Sequence, residues 1–316
     1  MRHAVGLLAA LLAGQVAAQD DIASLKRLYE YDPAQPLDVQ AKPLYERGGV
    51  KVEELSYASP KSGRATAYLV MPVEAGEKRV AVLFGHWGQG TKTEFLPEAT
   101  LYARAGAVCL LVDNPWVRPA PWRRNLRQLE DPEGDREAFI QAVVDLRRAM
   151  DLLSARKDVD RERLAYVGHS YGAQWGAILS AVDGRLKAVV LMGGVPDSEA
   201  IWRDGTETGL VEYRERAPKD KQEAYLKAVA PTSAVFYVPH STAPLLFQFA
   251  RFEQYFDKPA MHRYYAAAKE PKRIEWYDTG HDLNDPAALA NRARWLNSRV
   301  GLGSITPQLR TALEQP

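Results

Sequence analysis

The stretch AYVGHSYGAQWG, residues 165–176, decides the fold prediction for this chain. It places Ser170 between Gly168 and Gly172 in the pattern G-x-S-x-G, directly after a short apolar run and before a segment that can form a helix. In this pattern a strand turns into a helix so sharply that only small residues two positions either side of the serine avoid a clash. Because five residues can match by chance, the surrounding sequence has to supply the strand and the helix.

Strand-like and helix-like segments alternate from residue 50 onward, which is typical of a mainly parallel sheet covered by helices on both faces. Residues 50–57 and 64–71 predict an antiparallel pair joined at the turn 60–63. The clearest helix is predicted over 134–155, where apolar residues recur at helical spacing. Six further strands are predicted at RVAVLF, AVCLLVD, LAYVG, LKAVVLMGG, APLLFQF and RIEWYD. Ser170 therefore follows the fifth principal strand, which is the context that the motif requires.

The N-terminus predicts an exported protein. Residues 1–18, MRHAVGLLAALLAGQVAA, contain an early arginine, a short apolar run and small residues before Ala18. This is the pattern of a secretory signal peptide cleaved after that residue. Neither the apolar run nor any later segment is long enough to predict a membrane span. We therefore expect a periplasmic or secreted protein.

The remaining chain predicts one large domain with two short extensions. A hydrophobic content of 46% is enough to build a substantial core. We expect an N-terminal arm at 19–49, the domain at 50–302 and a loosely held C-terminal tail at 303–316. Within the domain, residues 197–240 make a longer connection than a sheet needs, which predicts a helical excursion or small lid over the site.

Charge and cysteine content argue against a nucleic-acid partner and against a disulfide or catalytic cysteine. The 41 basic and 40 acidic residues nearly cancel, so the net charge predicts no nucleic-acid partner. The sole cysteine, Cys109, cannot form an internal disulfide. Its place inside AVCLLVD predicts a small buried side chain and not a redox or catalytic group.

A serine nucleophile needs a base and an acid that orients the base. His281 lies in the loop YDTGHD after the last predicted strand, where its imidazole can reach the serine. For the acid, Glu253 follows strand APLLFQF in the segment ARFE and is favoured by its position beside the histidine loop. Asp197, after strand LKAVVLMGG, is the alternative, because a carboxylate there can reach the same histidine. The residues predict a triad of Ser170, His281 and Glu253 and leave Asp197 open.

The predicted reaction also needs hydrogen-bond donors for the oxyanion. Strand RVAVLF ends in GHWGQG, residues 85–90, whose glycines let the backbone approach a ligand. The predicted donors are the amides of Trp87 and Tyr171. One pre-aimed donor of this kind is worth about 3 kcal/mol of transition-state stabilisation, so this loop matters as much as the triad.

A loop dense in tryptophan and arginine follows strand AVCLLVD at the functional edge of the predicted sheet. It supplies Trp116, Arg118 and Trp122 as candidates for the substrate pocket, together with His86 from the glycine-rich loop. Because arginine pairs with carboxylates and tryptophan stacks on rings, such a pocket would suit an aromatic or acidic acyl group. The alternative is a surface loop whose arginines pair with the acidic residues at 130–133.

The order of glycine-rich loop, GHSYG, late acid and Gly-His pair resembles the α/β-hydrolase superfamily over residues 50–300. The segments SPKSGRATAYLVMP, DVDRERLAYVGHSYGA and PLLFQFARFEQYF look like its dienelactone-hydrolase and acetyl-xylan-esterase-like branch. The resemblance implies the α/β-hydrolase fold, with a mostly parallel eight-stranded sheet and helices on both faces. It also implies serine ester hydrolysis without a metal or an organic cofactor. Dienelactone hydrolases proper have a cysteine at the position of Ser170, so their substrate does not carry over.

These observations predict an exported serine hydrolase that cleaves a small-molecule carboxylic ester through an acyl-enzyme intermediate. One alternative is a serine peptidase of the prolyl-oligopeptidase type, whose catalytic domain has the same order of residues. Its usual propeller does not fit in the roughly 30 residues between the predicted signal peptide and the sheet. The other alternative is a non-catalytic, hydrolase-like binding protein, which would normally lack one member of the triad.

Overall fold

The computed structural model describes residues 22–76 and 78–314, with side chains as far as residue 310. The predicted signal peptide, residues 1–18, lies outside these described residues. Within them, nine strands form one sheet in the order β1-β2-β3-β5-β4-β6-β7-β8-β9. The strands are β1 (Gln40–Arg47), β2 (Val50–Ala58), β3 (Arg64–Pro72), β4 (Arg79–Gly85), β5 (Val108–Val112), β6 (Val159–His169), β7 (Ala188–Met192), β8 (Leu245–Ala250) and β9 (Lys272–Tyr277).

Strands β4 to β9 pair in parallel, and β1, β2 and β3 extend the sheet at one edge by antiparallel pairing. Parallel strands covered on both faces are nearly continuous apolar runs, as in the fully buried VCLLV of β5. At the tight turn between β2 and β3, Gly63 has a φ of +71°, which glycine adopts without steric cost. The predicted, mostly parallel sheet is confirmed.

Aspartate and proline mark the points where the two longest helices begin. Asp131 accepts a hydrogen bond from Gly134 N at 3.0 Å just before Pro132. Asp285 accepts one from Ala287 N at 2.7 Å just before Pro286. Such caps satisfy N–H groups that have no partner within the helix. The helices are α1 (Leu96–Arg104), α2 (Pro132–Ala155), α3 (Tyr171–Val182), α4 (Ser198–Asp204), α5 (Thr208–Arg216), α6 (Lys219–Val229), α7 (Lys258–Ala267), α8 (Pro286–Val300) and α9 (Thr306–Glu314).

A hydrophobic core lies on each face of the sheet. On one face, α2 and α3 contribute buried aromatic residues such as Phe139 and Trp175. On the other, α1 and α8 contribute Tyr102 and Leu296. The predicted helical cover on both faces is therefore confirmed. Such a sheet is a rigid support for the loops at the carboxyl ends of its strands, where open α/β sheets bind their ligands.

The structure differs from the sequence predictions at both ends of the chain. Strand β1 lies in the predicted arm at 19–49, which raises the strand number from the expected eight to nine in the described residues. The arm also packs on the domain, because Tyr29 is fully buried with its ring 5.7 Å from that of Tyr237. Helix α9 occupies most of the predicted tail at 303–316. Polar composition gave no sign of these elements, because β1 is exposed along its whole length and is held by its pairing with β2.

The long connection between β7 and β8 is helical, as its length predicts. Helices α4, α5 and α6 and three short 3₁₀ turns fill it before β8 begins. The connection leaves β7 at the carboxyl edge of the sheet, so its helices lie over the loops that follow the strands. Over the described part of the chain, no helix combines the length and the apolar character needed to cross a bilayer.

Candidate active site

Ser170 occupies a strained turn between β6 and α3. Its backbone has φ 55° and ψ −115°, a conformation that residues other than glycine rarely adopt. Two hydrogen bonds hold the turn: Ser170 N donates to Met192 O at 2.8 Å, and Ser170 O accepts from Gln174 N at 3.0 Å. The turn therefore presents the serine at the end of the sheet.

The glycines of the motif are required by contacts between backbone segments. A Cβ atom on Gly172 would overlap the carbonyl group of Gly85 and lie 2.9 Å from the carbonyl oxygen of His86. A Cβ atom on Gly168 would overlap the carbonyl group of Gly172 and lie 2.7 Å from the Tyr166 ring. Real Cβ atoms do not approach backbone so closely, so the sharp turn at residues 168–172, the elbow, can meet the end of β4 only through glycine.

His281 and Glu253 form a hydrogen-bonded pair in the loops after β9 and β8. His281 Nδ1 lies 2.7 Å from Glu253 Oε2. The other carboxylate oxygen, Oε1, accepts from Gln254 N and Tyr255 N, both at 2.9 Å. The Glu253 side chain is only 2% exposed. Three donors thus hold the carboxylate in one orientation, and a proton on Nδ1 leaves Nε2 as the basic nitrogen of the imidazole.

The structure places Glu253, and not Asp197, beside the imidazole. Asp197 stands at the start of α4, where its side chain accepts from Ala200 N at 2.7 Å and caps the helix. Burial raises the pKa of this carboxyl group, and the hydrogen bond from Ala200 opposes the rise. Asp197 therefore has a structural role that requires no contact with His281.

Ser170 and His281 both line one cavity of about 540 Å³, within the size range of small-molecule sites. The floor comes from the elbow and the loop after β4, and the opposite wall from α4, α5 and α6. The long connection of residues 197–240 thus contributes one wall of the cavity. The aromatic residues Trp202, Tyr213 and Tyr225 of this connection are part of that wall.

The two predicted oxyanion donors differ in the structure. Tyr171 N is the first amide of α3 and has no partner within the helix, so it is an open donor. Trp87 N is not open, because it donates to Glu94 Oε2 at 2.8 Å. This corrects the expectation of two free amides. Gly88 N, the next amide, has no hydrogen-bond partner among the described residues, and Gly88 lines the cavity.

Glu94 belongs to a second histidine–carboxylate pair that sequence reasoning missed. Its Oε1 atom lies 2.6 Å from His169 Nδ1, and His169 Nε2 donates to the carbonyl oxygen of His281 at 2.9 Å. His169 is 3% exposed. The chain of contacts ties the Trp87 loop to the His281 loop through the residue before the serine. No sequence signal could have found it, since the partners are 75 and 112 residues apart.

The four predicted pocket residues support the site from outside the cavity. None of them is among the described residues that line it. His86 is buried, with Nδ1 2.6 Å from the Trp87 carbonyl oxygen and Nε2 accepting from Asn114 N at 2.9 Å. Burial lowers its pKa. Trp116 donates from Nε1 to Gly88 O at 2.6 Å and packs on Tyr171, which steadies the glycine-rich loop.

The arginine-rich loop has neither of the two expected roles. Arg118 is fully buried and forms an ion pair with Asp145 at 2.7 Å, far from solvent. Trp122 packs against the turn at Gly63. Arg123 donates to Arg118 O at 2.7 Å. The predicted pocket at Trp116, Arg118 and Trp122 is therefore wrong, because these side chains pack inward and brace the loop.

No group of three or more His, Cys, Asp or Glu side chains in the described ranges is arranged to hold a metal ion. The hydrogen bonds of the site are made within the chain. The groups that the site brings together are a serine hydroxyl, an imidazole with an oriented carboxylate, and amides at the start of a helix.

Solved structures show the same fold. No protein-family model matches the chain, and no curated protein matches its sequence. An acetyl xylan esterase from Paenibacillus sp. R4 is 19% identical with a TM-score of 0.70, covering 88% of this chain and 94% of that one. Acetyl xylan esterase 1 from Thermoanaerobacterium sp. JW/SL YS485 is 14% identical with a TM-score of 0.70, covering 86% and 92%.

A third structure represents the other half of the predicted branch. It was solved as a dienelactone hydrolase from Klebsiella pneumoniae subsp. pneumoniae MGH 78578, is 15% identical with a TM-score of 0.59, and covers 80% of this chain and 99% of that one. Likeness at such identities shows a shared fold. The chain has the α/β-hydrolase fold, and the solved structures that it resembles include those of the acetyl-xylan-esterase and dienelactone-hydrolase branch.

Proposed function

We propose that the protein is a serine hydrolase that cleaves carboxylic esters. The observation that supports this best is a single cavity lined by a serine on a strained elbow and by a histidine whose Nδ1 lies 2.7 Å from a buried carboxylate. Nucleophilic serine catalysis needs these groups, because a hydroxyl is a weak nucleophile until a base removes its proton. The esterase structures that the fold resembles support the same reaction class.

In the proposed mechanism, Ser170 Oγ attacks the ester carbonyl carbon while His281 Nε2 takes its proton. Glu253 stabilises the imidazolium through the Nδ1 hydrogen bond. When the tetrahedral intermediate collapses, the carbon–oxygen bond to the alcohol breaks and the alcohol leaves with the proton from Nε2. Water then attacks the acyl-enzyme with the same base, which releases the acid and restores Ser170.

The oxyanion of both intermediates is stabilised by Tyr171 N–H and by the loop after β4. Trp87 N–H can take part only when it exchanges Glu94 for the oxyanion. Gly88 N–H needs no such exchange. The donors act where charge develops, in a site whose walls limit access of water.

The test replaces the nucleophile. Ser170→Ala should lose several orders of magnitude in ester turnover, because the members of a triad act as a unit. A fluorophosphonate should label Ser170 in the native enzyme. The control is Ser180→Ala in α3, the helix that follows Ser170. The buried hydroxyl of Ser180 donates to Ala177 O at 2.7 Å.

Chromogenic esters of increasing acyl size and proline-containing peptide amides should be assayed side by side. Cleavage of amides without cleavage of any ester would favour the peptidase alternative. Full activity of Ser170→Ala would end the serine-hydrolase proposal, and the absence of both labelling and turnover in the native protein would favour a binding role.

We also propose that the protein is exported. The proposal is supported by the sequence of residues 1–18 alone. The mature protein from a periplasmic or culture fraction should begin at or near Gln19. N-terminal sequencing measures this, and an intact Met1 in that fraction would contradict the proposal.

A further inference from the structure

The cavity beside Ser170 has an aromatic lining. Of the described residues that form it, Gln89 and Gln128 are neutral, and neither a lysine nor an arginine is among them. Among the lining residues that the structure describes, Glu207 is the one acid. The aromatic residues are Trp87, Tyr171, Trp202, Tyr213, Tyr225 and Tyr255. The described lining thus offers no lysine or arginine to pair with an anionic substrate, so it does not favour the acidic acyl group considered from the sequence.

The wall opposite the serine is an aromatic cluster. The Trp202 ring lies 5.7 Å from that of Tyr213 and 5.6 Å from that of Tyr225, with tilts of 53° and 54°. Tyr255 completes the lining next to the base, with its ring 4.6 Å from the His281 imidazole. Aromatic faces carry negative charge density and attract a cation placed over them.

Glu207 is held in place at the start of α5. Its Oε1 accepts from Gly209 N at 3.0 Å and its Oε2 from Leu210 N at 2.7 Å. These two hydrogen bonds lower the pKa of Glu207, so the side chain is a carboxylate at neutral pH. Each oxygen keeps a lone pair for a further partner.

Carboxylates act on several of the tyrosines that line the cavity. Burial raises the pKa of Tyr213, and the carboxylates of Glu130 and Asp135 raise it further. Burial also raises the pKa of Tyr255, with Glu207 first among the carboxylates that add to it. Burial raises the pKa of Tyr171 and of Tyr225, and Asp135 adds to the rise of both.

The lysine and arginine side chains of the wall helices are not among the described residues that line the cavity. Arg214 of α5 donates to the carbonyl oxygens of Trp202 at 2.8 Å and of Arg203 and Gly205 at 3.2 Å. Its guanidinium is thus used to cap the end of α4.

We propose that the natural ester carries a cationic ammonium group. The ammonium binds against the wall that the Trp202 and Tyr213 rings form and beside the Glu207 carboxylate, while the ester carbonyl lies at Ser170. This inference rests on the proposed function and names the substrate class of that site. A quaternary ammonium suits such a site best, because it has little hydration to lose and interacts with ring faces in every orientation.

The test compares esters of equal shape and different charge. Acetylcholine and 3,3-dimethylbutyl acetate differ by a positive nitrogen in place of a carbon on the alcohol side. Ethyl betaine and ethyl 3,3-dimethylbutanoate differ in the same way on the acyl side. In at least one pair, kcat/KM divided by the rate constant of alkaline hydrolysis should be about tenfold or more higher for the cation than for the neutral ester, since the ammonium group also activates the carbonyl. An anionic ester, 3-acetoxypropanesulfonate, should be the poorest substrate.

A pair of variants locates the effect. Glu207→Gln should reduce the cation-to-neutral ratio of kcat/KM by about tenfold. Glu212→Gln removes the same charge from the exposed face of α5, where Glu212 pairs with Arg216 at 3.1 Å, and should leave the ratio unchanged. Thermal unfolding of both variants shows that α5 is intact.

The outcomes separate this inference from the proposed function. Equal rates within both pairs would overturn the inference and leave the esterase proposal standing, as would a ratio that Glu207→Gln does not change. If the wild type cleaves no ester, the proposed function fails. Calorimetric titration with tetramethylammonium then decides the inference, and the absence of Glu207-dependent binding overturns it.

Discussion

Replacing Glu253 with glutamine tests whether this carboxylate orients His281, because the substitution changes one oxygen atom of the side chain. Glu253→Gln keeps the size of the side chain and turns one carboxylate oxygen into an NH₂ group. The structure dictates which one. Because Oε1 accepts from Gln254 N and Tyr255 N, both at 2.9 Å, the amide oxygen has to remain there. The NH₂ group must then face His281 Nδ1 at the position that Oε2 now occupies, 2.7 Å away.

This orientation forces the imidazole into the wrong tautomer. An NH₂ group donates only, so His281 Nδ1 has to accept and the ring proton moves to Nε2. A protonated Nε2 cannot take the proton of Ser170, and the imidazolium loses its negative partner. We expect kcat to fall by about three to four orders of magnitude, or about 4 to 5.5 kcal/mol in the barrier.

The assay is steady-state hydrolysis of a neutral chromogenic ester, with circular dichroism to show that the variant is folded. KM should change little, because Glu253 has no contact with the substrate. The control is Asp197→Asn, which alters the cap of α4 where Asp197 accepts from Ala200 N at 2.7 Å. The control should lose at most about 1 kcal/mol of stability and keep its turnover within a few-fold.

The reasoning is refuted if Glu253→Gln retains turnover within tenfold of the wild type. It is also refuted if Asp197→Asn abolishes turnover while Glu253→Gln does not, because the orienting acid would then follow β7 and not β8. Loss in both variants with intact folds would mean that α4 positions the site, and the crystal structure of Asp197→Asn would show the displaced residue.

Three further predictions concern the residues that support the site. Gly172→Ala should lower the free energy of unfolding by about 3 kcal/mol or more and remove activity, because its Cβ atom would overlap the carbonyl group of Gly85. The control is Gly184→Ala, where a Cβ atom meets nothing within 4 Å; its free energy of unfolding in the same urea titration should stay within about 0.5 kcal/mol of the wild type. Arg118→Met should lower the free energy of unfolding in urea by about 3 to 5 kcal/mol, because it leaves the buried Asp145 carboxylate without its partner. Turnover of the folded variant should stay within a few-fold of the wild type, and a large loss would instead support a place for Arg118 in the substrate pocket. Burial lowers the pKa of His86 below its ordinary 6.5, so the contribution of His86 to stability is present above pH 6.5 and is lost as the pH falls below it, with a slope of up to about 1.4 kcal/mol per pH unit. His86→Gln should reduce the pH dependence of the free energy of unfolding between about pH 5 and 7, and an unchanged slope would contradict the assignment.

The sequence by itself determined the fold and the order of its chemical groups. The alternation of apolar runs and helical spacing is a local property, because each strand or helix exposes its own pattern of buried residues. The turn at Ser170 is only partly local: a Cβ atom on Gly168 would overlap the carbonyl group of Gly172 in the same turn, whereas a Cβ atom on Gly172 would overlap Gly85 in a strand distant in sequence. Parallel strands end at one edge of a sheet, so the order of the motifs was enough to place Ser170, His281 and Glu253 in the same region.

Only the tertiary structure decided which of the grouped side chains meet. Glu253 and Asp197 both follow strands at the functional edge, and just one of them lies beside the imidazole. The pair of Glu94 and His169 joins loops far apart in the chain, and no local pattern encodes it. The pocket wall comes from α4 to α6, whereas the conspicuous Trp and Arg loop packs inward around Arg118. The physical reason is that side-chain direction and burial depend on contacts between distant segments, while sequence periodicity reports only on the segment that carries it.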